Sequence, residues 1–321
     1  MSEAARIELL RQLFASMPGP APRVGIGDDA AVLSPLGSAS LVASVDEQIE
    51  GTHFRRAWLG AADIGYRSMM AALSDLAAMG ATPLAALAAL ALPDDIDDAF
   101  LAGLAQGQRE AAASVMCPIV GGNLARGPCL AVTTTVLGTA ATPIGRNGAR
   151  SGDGLYVAGA LGLAAAGLQA FLRGDASGAT AAARAAWARP VARIADGLSV
   201  RDTATAAIDV SDGVAKDLGA VATASGCVAE LEEVALREHL AATGADAAAS
   251  ALSLDALALA LFGGEDYALL VASPTALEGF TRIGRFGDRG HEVVLKQADG
   301  TTRALRGGFD HFAMHVPTKS K

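Results

Sequence analysis

The sequence predicts an α/β or α+β fold with two domains in one chain. Three observations support this class. The 321 residues suit two domains of roughly 150 residues, each large enough for its own core. Segments with strand and helix patterns are interleaved in both halves. Aromatic residues make up only 4% of the chain although 51% of it is hydrophobic, so we expect cores of Leu, Val, Ile and closely packed Ala.

In the first half, hydrophobic periodicity and the helix breakers Gly80 and Pro83 set the predicted elements. Residues 142–152, which include Pro143 and Gly145, have the composition of a domain junction. We therefore expect an N-terminal domain at residues 1–143 and a C-terminal domain at residues 144–321. The elements predicted in the first half are helices at 4–14, 61–79 and 98–113 and strands at 30–33, 40–45, 84–92, 116–120 and 130–139.

The second half contains one stretch, residues 154–172, that carries no charge and approaches the length of a membrane span. Four glycines and Gln169 interrupt it, so we interpret it as a buried strand, a tight turn and a helix. The elements predicted in this half are helices at 164–172, 179–188, 191–201 and from 214 onward, and strands at 155–158, 206–210, 228–231, 268–271 and 292–296.

Charge and cysteine content disfavour several classes of protein. The formal net charge of −9 argues against binding to nucleic acid or to an anionic membrane surface. Cys117, Cys129 and Cys227 are odd in number and form no CxxC pair, which argues against a disulfide framework or a zinc ribbon. We expect a cytoplasmic protein that binds neither nucleic acid nor membrane.

Acidic residues recur beside glycines and at strand ends, where a backbone can approach a ligand and carboxylates can bind hard cations. Asp212 is equally explained as a helix N-cap, and Asp28 with Asp29 as a plain turn. Asp75 lies on an apolar helix face, where an ionised group costs several kcal/mol unless it is paired or bound to metal. The set comprises Asp28 and Asp29 after Gly25 and Gly27, Asp46, Asp75 beside Ser74, Asp209, Ser211 and Asp212, and Glu265 and Asp266 after Gly263 and Gly264.

Residues 25–30 satisfy the dinucleotide pattern G-x-G-x-x-A, but two carboxylates there would repel a pyrophosphate and no apolar strand leads into the segment. Lysine is confined to Lys216, Lys296, Lys319 and Lys321. A nucleotide held in the first domain must therefore be neutralised by Mg²⁺, arginine or backbone N–H groups, and carboxylate-bound Mg²⁺ is a known solution in phosphoryl transfer.

Seven segments together resemble the thiamine-monophosphate kinase family, in the superfamily that includes aminoimidazole ribonucleotide synthetase and selenophosphate synthetase. They occur in family order between residues 25 and 312, and LSDLAAMGA, DVSDG and GGEDY are specific in combination. The segments are GIGDDAAVL from Gly25, EGTHF from Glu50, LSDLAAMGATP from Leu73, GGNLARGP from Gly121, IDVSDGVAKDLG from Ile208, FGGEDYALL from Phe262 and GFDHF from Gly308.

The resemblance implies a two-domain fold similar to aminoimidazole ribonucleotide synthetase, whose N-terminal sheet pairs across a homodimer. It implies Mg²⁺-dependent transfer of the ATP γ-phosphoryl group onto thiamine monophosphate, without a covalent enzyme intermediate. It also implies magnesium positions at Asp29, Ser44, Val45, Asp46, Asp75, Asn123, Asp209 and Asp212, ATP contacts at Gly122, Asn123, Arg146 and Ser211, and substrate contacts at His53, Glu265 and Phe309.

The chain departs from the family pattern in the expected metal and nucleotide shell. Asn123 stands where the family usually has Asp, Val45 and Glu47 replace hydroxyl residues around Asp46, and Ala72 replaces an Asn. We hypothesise that Glu47 supplies the charge that Asn123 lacks. Two alternatives stay open: a kinase or ATP-dependent synthetase of this fold acting on another small phosphorylated metabolite, and an ATP-binding paralogue without turnover.

Overall fold

The structure is a computed structural model that describes Arg23, Asp28, Ala31, Val32 and residues 38–310. The helix predicted at residues 4–14 and the predicted site residue Asp29 lie outside this part of the chain. The described residues form two mixed sheets with helices packed on them. The predicted α/β class is confirmed.

The first sheet has five strands in the order β1-β2-β5-β3-β4, and only the β3–β4 pair is parallel. Helix α1 packs on the face that carries Val42, Ala86 and Val136. Its strands are β1 (Ala31–Val32), β2 (Ser40–Ile49), β3 (Thr82–Leu92), β4 (Ile119–Arg126) and β5 (Ala131–Ala140), and its helices are α1 (Ala61–Ala78) and α2 (Asp98–Ser114).

Helices α1 and α2 approach closely because each has a glycine at the crossing. A Cβ atom on Gly65 would lie 1.9 Å from the Leu104 carbonyl oxygen, and one on Gly107 would lie 1.8 Å from the Ala62 carbonyl oxygen. Any larger residue at either position would push the helices apart. The two glycines therefore set the position of α1, which carries Asp75.

The second sheet has seven strands in the order β12-β11-β8-β10-β6-β9-β7, and only β8 and β11 are parallel neighbours. Its strands are β6 (Gly154–Ala158), β7 (Ala206–Asp209), β8 (Cys227–Glu232), β9 (Leu269–Ser273), β10 (Thr281–Arg289), β11 (Val293–Lys296) and β12 (Thr302–Leu305). The helices of this half are α3 (Leu163–Arg173), α4 (Ala181–Ala188), α5 (Ile194–Val200), α6 (Val214–Ser225), α7 (Glu233–Thr243), α8 (Ala245–Ala251) and α9 (Ala256–Phe262).

The uncharged stretch at residues 154–172 forms β6, a turn with positive φ at Gly159 and Gly162, and α3. This confirms the predicted strand, turn and helix. Among the described residues, no single helix has the length and apolar composition to cross a membrane. The pair α8 and α9 meets that criterion only when taken together, across a bend of 112°.

Several predicted boundaries are wrong. Strand β2 continues to Ile49, so Asp46 lies inside a strand and not at its end. The strand predicted at 116–120 begins at Ile119, because Met116 has a φ of 56° in the turn after α2. Strand β10 was not predicted because three arginines and two glycines interrupt its apolar pattern.

The two halves share packed cores. Ala192 and Ile194 from the second half belong to the cluster around Met69 and Leu73 of α1. Trp187 of α4 packs in a further cluster with residues of the first half. The division predicted between residues 143 and 144 falls between β5 and β6, and it stays a prediction.

Candidate active site between the two halves

A cavity of about 430 Å³ opens where β2 and α1 of the first half meet the second half. Nine of the predicted metal, ATP and substrate positions line it together. They are Val45, Asp46, His53, Asp75, Asp209, Ser211, Asp212, Glu265 and Phe309. These residues come from segments more than 250 positions apart, so the fold concentrates the predicted chemistry in one place.

Helix α1 presents one face to this cavity at a spacing of four residues. Ala71 and Asp75 line the cavity, and Arg67 lies one turn earlier on the same face. The Ser44 hydroxyl of β2 donates to Asp75 Oδ2 at 2.5 Å. Ser44, predicted as a magnesium position, therefore positions the Asp75 carboxylate.

Asp209 ends β7 and is only 6% exposed. The buried Ser74 hydroxyl of α1 donates to Asp209 Oδ2 at 2.5 Å. Ser74 thus orients a carboxylate of the second half, and its neighbour Asp75 is itself a carboxylate of the first half that Ser44 orients. Sequence analysis did not name Ser74 as a site residue, although its hydroxyl beside a predicted metal ligand was a usable signal.

The segment that joins β7 to α6 is held by Asp217, which the sequence analysis missed. Asp217 Oδ2 accepts hydrogen bonds from the backbone N–H groups of Ser211 at 3.0 Å and Asp212 at 2.9 Å. Lys216 Nζ lies 2.6 Å from Asp212 Oδ2 and donates to the Phe309 carbonyl oxygen at 2.7 Å. Asp212 is therefore not a simple helix N-cap; it pairs with the nearest lysine.

The loop that follows α9 packs so closely on the segment between β7 and α6 that only glycine fits at position 264. Gly264 has a φ of +70°, and a Cβ atom there would lie 2.3 Å from the Ser211 carbonyl oxygen. Glu265 also has a positive φ of 66°, and its backbone N–H donates to Ser211 O at 2.8 Å. Strained backbone of this kind persists only where its surroundings hold it. The Gly-Gly pair thus fixes where Glu265 enters the cavity.

Asp266 anchors the same loop to the start of α3. Its Oδ2 accepts from Gly162 N–H at 2.6 Å, and its Oδ1 accepts from Ala164 N–H at 3.0 Å. Burial raises the pKa of Asp266 to about 7, while the two backbone hydrogen bonds oppose that shift. Asp266 therefore anchors the loop that carries Glu265, and it does not line the cavity.

Asp46 and His53 are oriented by local hydrogen bonds. Asp46 Oδ1 accepts from Glu47 N–H at 2.7 Å, and its Oδ2 accepts from Gln48 Nε2 at 3.2 Å. His53 Nδ1 accepts from Ile49 N–H at 2.9 Å. Because Nδ1 is an acceptor in that bond, the neutral imidazole carries its proton on Nε2. The donor of this ring is therefore the Nε2–H group.

Arg67 is fully buried behind the cavity wall. Its guanidinium forms an ion pair with Glu265, donates to the Trp187 carbonyl oxygen at 2.5 Å, and donates to Gln48 Oε1 at 3.2 Å. Burial lowers the pKa of Arg67, and the Asp46 carboxylate opposes that shift. Sequence analysis missed Arg67, although its spacing of eight residues from Asp75 placed both on one helix face.

Aromatic side chains form the other end of the cavity. Trp58 stacks on Phe171 with ring centroids 5.8 Å apart and meets Trp187 edge-on at the same distance. Arg55 lies over the Trp58 ring at 4.5 Å. The Trp187 indole nitrogen is buried and has no hydrogen-bond partner among the described residues. The cavity is thus acidic at one end and aromatic at the other.

Three predicted ATP contacts lie elsewhere in this chain. Gly122 and Asn123 belong to β4, an edge strand that is exposed at every position. Arg146 lies beside Asp28, with 3.6 Å between its Nε and Asp28 Oδ1. The structure brings Ser211 to the cavity but not these three residues.

The hypothesis that Glu47 compensates for Asn123 meets a geometric obstacle. Glu47, Thr133, Ala89 and Asn123 form one row across β2, β5, β3 and β4. Three strand spacings of about 4.8 Å separate Glu47 from Asn123 by roughly 14 Å. The Thr133 hydroxyl donates to Glu47 Oε1 at 2.9 Å. Because roughly 14 Å separates them, Glu47 and Asn123 of one chain cannot bind the same ion. Side chains also alternate along a strand, so Glu47 faces away from Asp46.

The cavity carboxylates are oxygen ligands of the kind that hard cations prefer. Among the described residues, however, no three Asp, Glu, His or Cys side chains converge as a complete metal site. Mg²⁺ commonly uses one or two carboxylates and takes its other ligands from water and substrate phosphates. The donor chemistry of Asp75, Asp209 and Asp46 therefore fits Mg²⁺ as an ion held jointly with a phosphorylated substrate.

Comparison with known proteins first defines the class. Residues 27–140 match the family model for the N-terminal domain of AIR synthase related protein. This segment spans the first sheet and its two helices. The first half of the chain thus contains an AIR synthase-related domain, and the candidate site lies where this domain meets the second half.

Known proteins that match most of the chain identify its family. Thiamine-monophosphate kinase from Escherichia coli strain K12 is 35% identical over 90% of this chain and 92% of its own length. The solved structure described as AaThiL complexed with AMPPCP and TMP superposes with a TM-score of 0.86 at 29% identity, covering 97% of both chains. The thiamine-monophosphate kinase structure from Stenotrophomonas maltophilia K279a gives 0.71 at 31% identity, covering 92% of this chain and 95% of that one. The chain belongs to the thiamine-monophosphate kinase family.

Proposed function

We propose that this chain is a thiamine-monophosphate kinase that transfers the γ-phosphoryl group of ATP to the phosphate of thiamine monophosphate. One phosphate oxygen of the acceptor attacks the γ-phosphorus, the bond to the β,γ-bridging oxygen breaks, and the products are thiamine diphosphate and ADP. The observation that carries this proposal is the cavity in which nine expected site residues meet. A relative that matches 97% of this chain is described with an ATP analogue and TMP bound.

The acidic end of the cavity suits the transferring phosphates. Asp46, Asp75, Asp209 and Asp212 would hold Mg²⁺, which when bound neutralises phosphate charge and aligns the reacting oxygens. The Ser44 and Ser74 hydroxyls hold Asp75 and Asp209 in place. No side chain needs to form a covalent intermediate, because phosphoryl transfer depends mainly on positioning and charge neutralisation.

The other side of the cavity suits the acceptor. The His53 Nε2–H group is a donor for an acceptor phosphate, and Glu265 is an anion that complements a cationic thiazolium or an amino group. Trp58 and Phe309 add aromatic surface to the same cavity, and a cation over an aromatic face is favoured. The acceptor would therefore lie with its phosphate toward the carboxylates and its rings toward the aromatic end.

A second copy of this chain is the proposed partner of the first sheet. Strand β4 is an edge strand whose eight residues are all exposed, and Val120 and Leu124 are more than 60% exposed. A long apolar edge favours pairing with another strand. Val120→Glu should shift the mass in sedimentation equilibrium from dimer to monomer, whereas an unchanged mass for a folded variant would place the interface elsewhere.

A cytoplasmic location remains part of the proposal. Cys117, Cys129 and Cys227 are all free, as expected in a reducing compartment.

A substrate panel tests the proposed reaction against its alternatives. ADP release would be measured with ATP, Mg²⁺ and either thiamine monophosphate, thiamine, aminoimidazole ribonucleotide precursors or no acceptor. We expect release that depends on thiamine monophosphate alone. Release with a different acceptor would support another kinase or synthetase of this fold, and ATP binding without ADP release over hours would indicate a paralogue without turnover.

A further inference from the structure

The buried residue Arg67 contacts three segments of the cavity wall without lining the cavity itself. Its partners are Gln48 of β2, Trp187 of α4 and Glu265 of the loop after α9. The guanidinium also lies over the Trp187 ring, 4.6 Å from its centroid. One side chain of α1 therefore ties together both halves of the chain at the proposed acceptor end.

Burying such a charged side chain costs free energy. An arginine that is 0% exposed loses its hydration, and a buried ion pair stabilises a fold only when its geometry and remaining hydrogen bonds are satisfied. Apolar residues of similar volume are often neutral or stabilising in its place. A role in stability alone is thus a weak explanation for Arg67.

The ion pair explains how Glu265 could be presented to a substrate. Glu265 Oε2 is buried against the guanidinium, while the Glu265 side chain as a whole keeps 21% of its exposure. A carboxylate has acceptor sites on both oxygens. Pairing with Arg67 therefore fixes one oxygen and leaves the other for a ligand in the cavity.

The second branch of the network reaches the acidic end. Arg67 Nε donates to Gln48 Oε1, which turns Gln48 Nε2 toward Asp46 Oδ2 at 3.2 Å. Because the amide has a donor end and an acceptor end, Arg67 determines its orientation. A continuous chain of contacts thus joins Asp46, Gln48, Arg67 and Glu265.

We propose that Arg67 is a positioning residue that holds Glu265 for recognition of the acceptor, an inference that rests on the proposed function. It acts through Glu265 and does not touch either substrate. Arg67→Lys keeps the charge but cannot reach Gln48, Trp187 and Glu265 together with one ammonium group. This variant should therefore lose acceptor affinity. It should keep ATP affinity, because the Glu47 N–H group still holds Asp46.

The test measures KM for thiamine monophosphate and for ATP in Arg67→Lys, Glu265→Gln and the Arg67→Met/Glu265→Gln pair. Loss of a contact to a charged group weakens binding roughly ten- to a hundredfold. Each variant should therefore raise KM for thiamine monophosphate at least about tenfold, while KM for ATP stays within about twofold. The double variant should raise KM for thiamine monophosphate no more than Glu265→Gln does, because both remove the same interaction. Arg285→Lys, in the exposed ion pair with Glu230, is the matched control and should change neither constant.

The pair removes both charges, so it remains measurable even if Arg67→Met alone leaves Glu265 unpaired and fails to fold. A folded Arg67→Lys variant with unchanged KM for thiamine monophosphate overturns the proposal, as does a double variant whose KM for thiamine monophosphate clearly exceeds that of Glu265→Gln. A parent chain that releases no ADP with thiamine monophosphate overturns the proposed function itself, and with it this inference.

Discussion

The Ser74 hydroxyl donates to Asp209 Oδ2 at 2.5 Å, and this hydrogen bond joins helix α1 of the first half to strand β7 of the second. Both residues are buried. Asp75, the next residue in α1, faces the cavity and accepts from Ser44. Two adjacent positions of one helix therefore set the distance between carboxylates that the sequence separates by more than 130 residues.

Ser74→Ala should weaken both the fold and the reaction. Its hydroxyl contacts a charged acceptor, so the free energy of unfolding should fall by about 1.5–3 kcal/mol, with kcat reduced because Asp209 is no longer fixed. Urea unfolding and steady-state rates measure these effects. Ser68→Ala is the control, since that buried hydroxyl of the same helix donates to the Gly65 carbonyl oxygen and its loss should leave kcat unchanged.

Asp75→Asn should leave the protein folded and nearly inactive. The amide keeps the shape of the carboxylate but removes its charge, and a loss of about 4 kcal/mol in transition-state stabilisation is about a thousandfold in rate. The rate should be measured over a range of Mg²⁺ concentrations. Asp63→Asn, in the first turn of the same helix, is the matched control. Near-normal turnover of Asp75→Asn at limiting Mg²⁺ would remove Asp75 from the metal shell.

His53→Ala should raise KM for thiamine monophosphate roughly tenfold, about 1.4 kcal/mol, and leave KM for ATP unchanged. The reason is loss of the Nε2–H donor that the Ile49 N–H bond imposes. Steady-state kinetics with each substrate varied in turn measures the split. The exposed His291 provides a control variant, His291→Ala. Equal effects on both constants would place His53 outside the acceptor site.

Asp266 predicts a pH dependence of stability. Burial raises its pKa from 3.8 to about 7, so between these values the folded state binds a proton that the unfolded state has lost. The contribution of Asp266 to stability is present below about pH 4 and falls as pH rises to about 7. Asp266→Asn should therefore gain stability relative to the parent over this range and become constant above it.

Denaturant unfolding at several pH values between 4.5 and 8 measures the Asp266 effect. Asp255→Asn, which alters a surface cap of α9, should show no such trend. A difference between Asp266→Asn and the parent that is independent of pH would mean that Asp266 is ionised throughout this range in the folded protein.

Asn123→Asp and Glu47→Thr should act independently on the Mg²⁺ requirement. The residues lie roughly 14 Å apart across four strands, too far for one ion to bind both. A double-mutant cycle on the Mg²⁺ concentration for half-maximal rate measures their coupling. A coupling clearly different from zero would restore the idea that they share a site.

Sequence analysis located the carboxylates of the cavity wall because they lie in short, ordered motifs. Each lies in a local pattern: Asp75 on an apolar helix face, Asp209 and Asp212 at a strand end, and Glu265 after a Gly-Gly pair. The alternation of strands and helices likewise predicted α1, β6 and β9. Local chemistry and periodicity are enough for such elements.

Residues that act through distant partners were not predictable in this way. Arg67 and Trp187 matter because they join segments that are more than 100 residues apart, and a single sequence does not contain that pairing. Glu47 shows the converse: its position next to Asp46 suggested a shared site, but strand alternation places the two on opposite faces. Strand β10 was missed because its arginines obscure the apolar pattern.

Product stoichiometry tests the central claim most directly. The purified chain would be incubated with ATP, Mg²⁺ and thiamine monophosphate, and ADP and thiamine diphosphate would be quantified by chromatography over time. We predict equimolar formation of the two products, with neither formed when thiamine monophosphate is omitted. ADP formed without thiamine diphosphate, or no turnover of either substrate, would contradict the assignment.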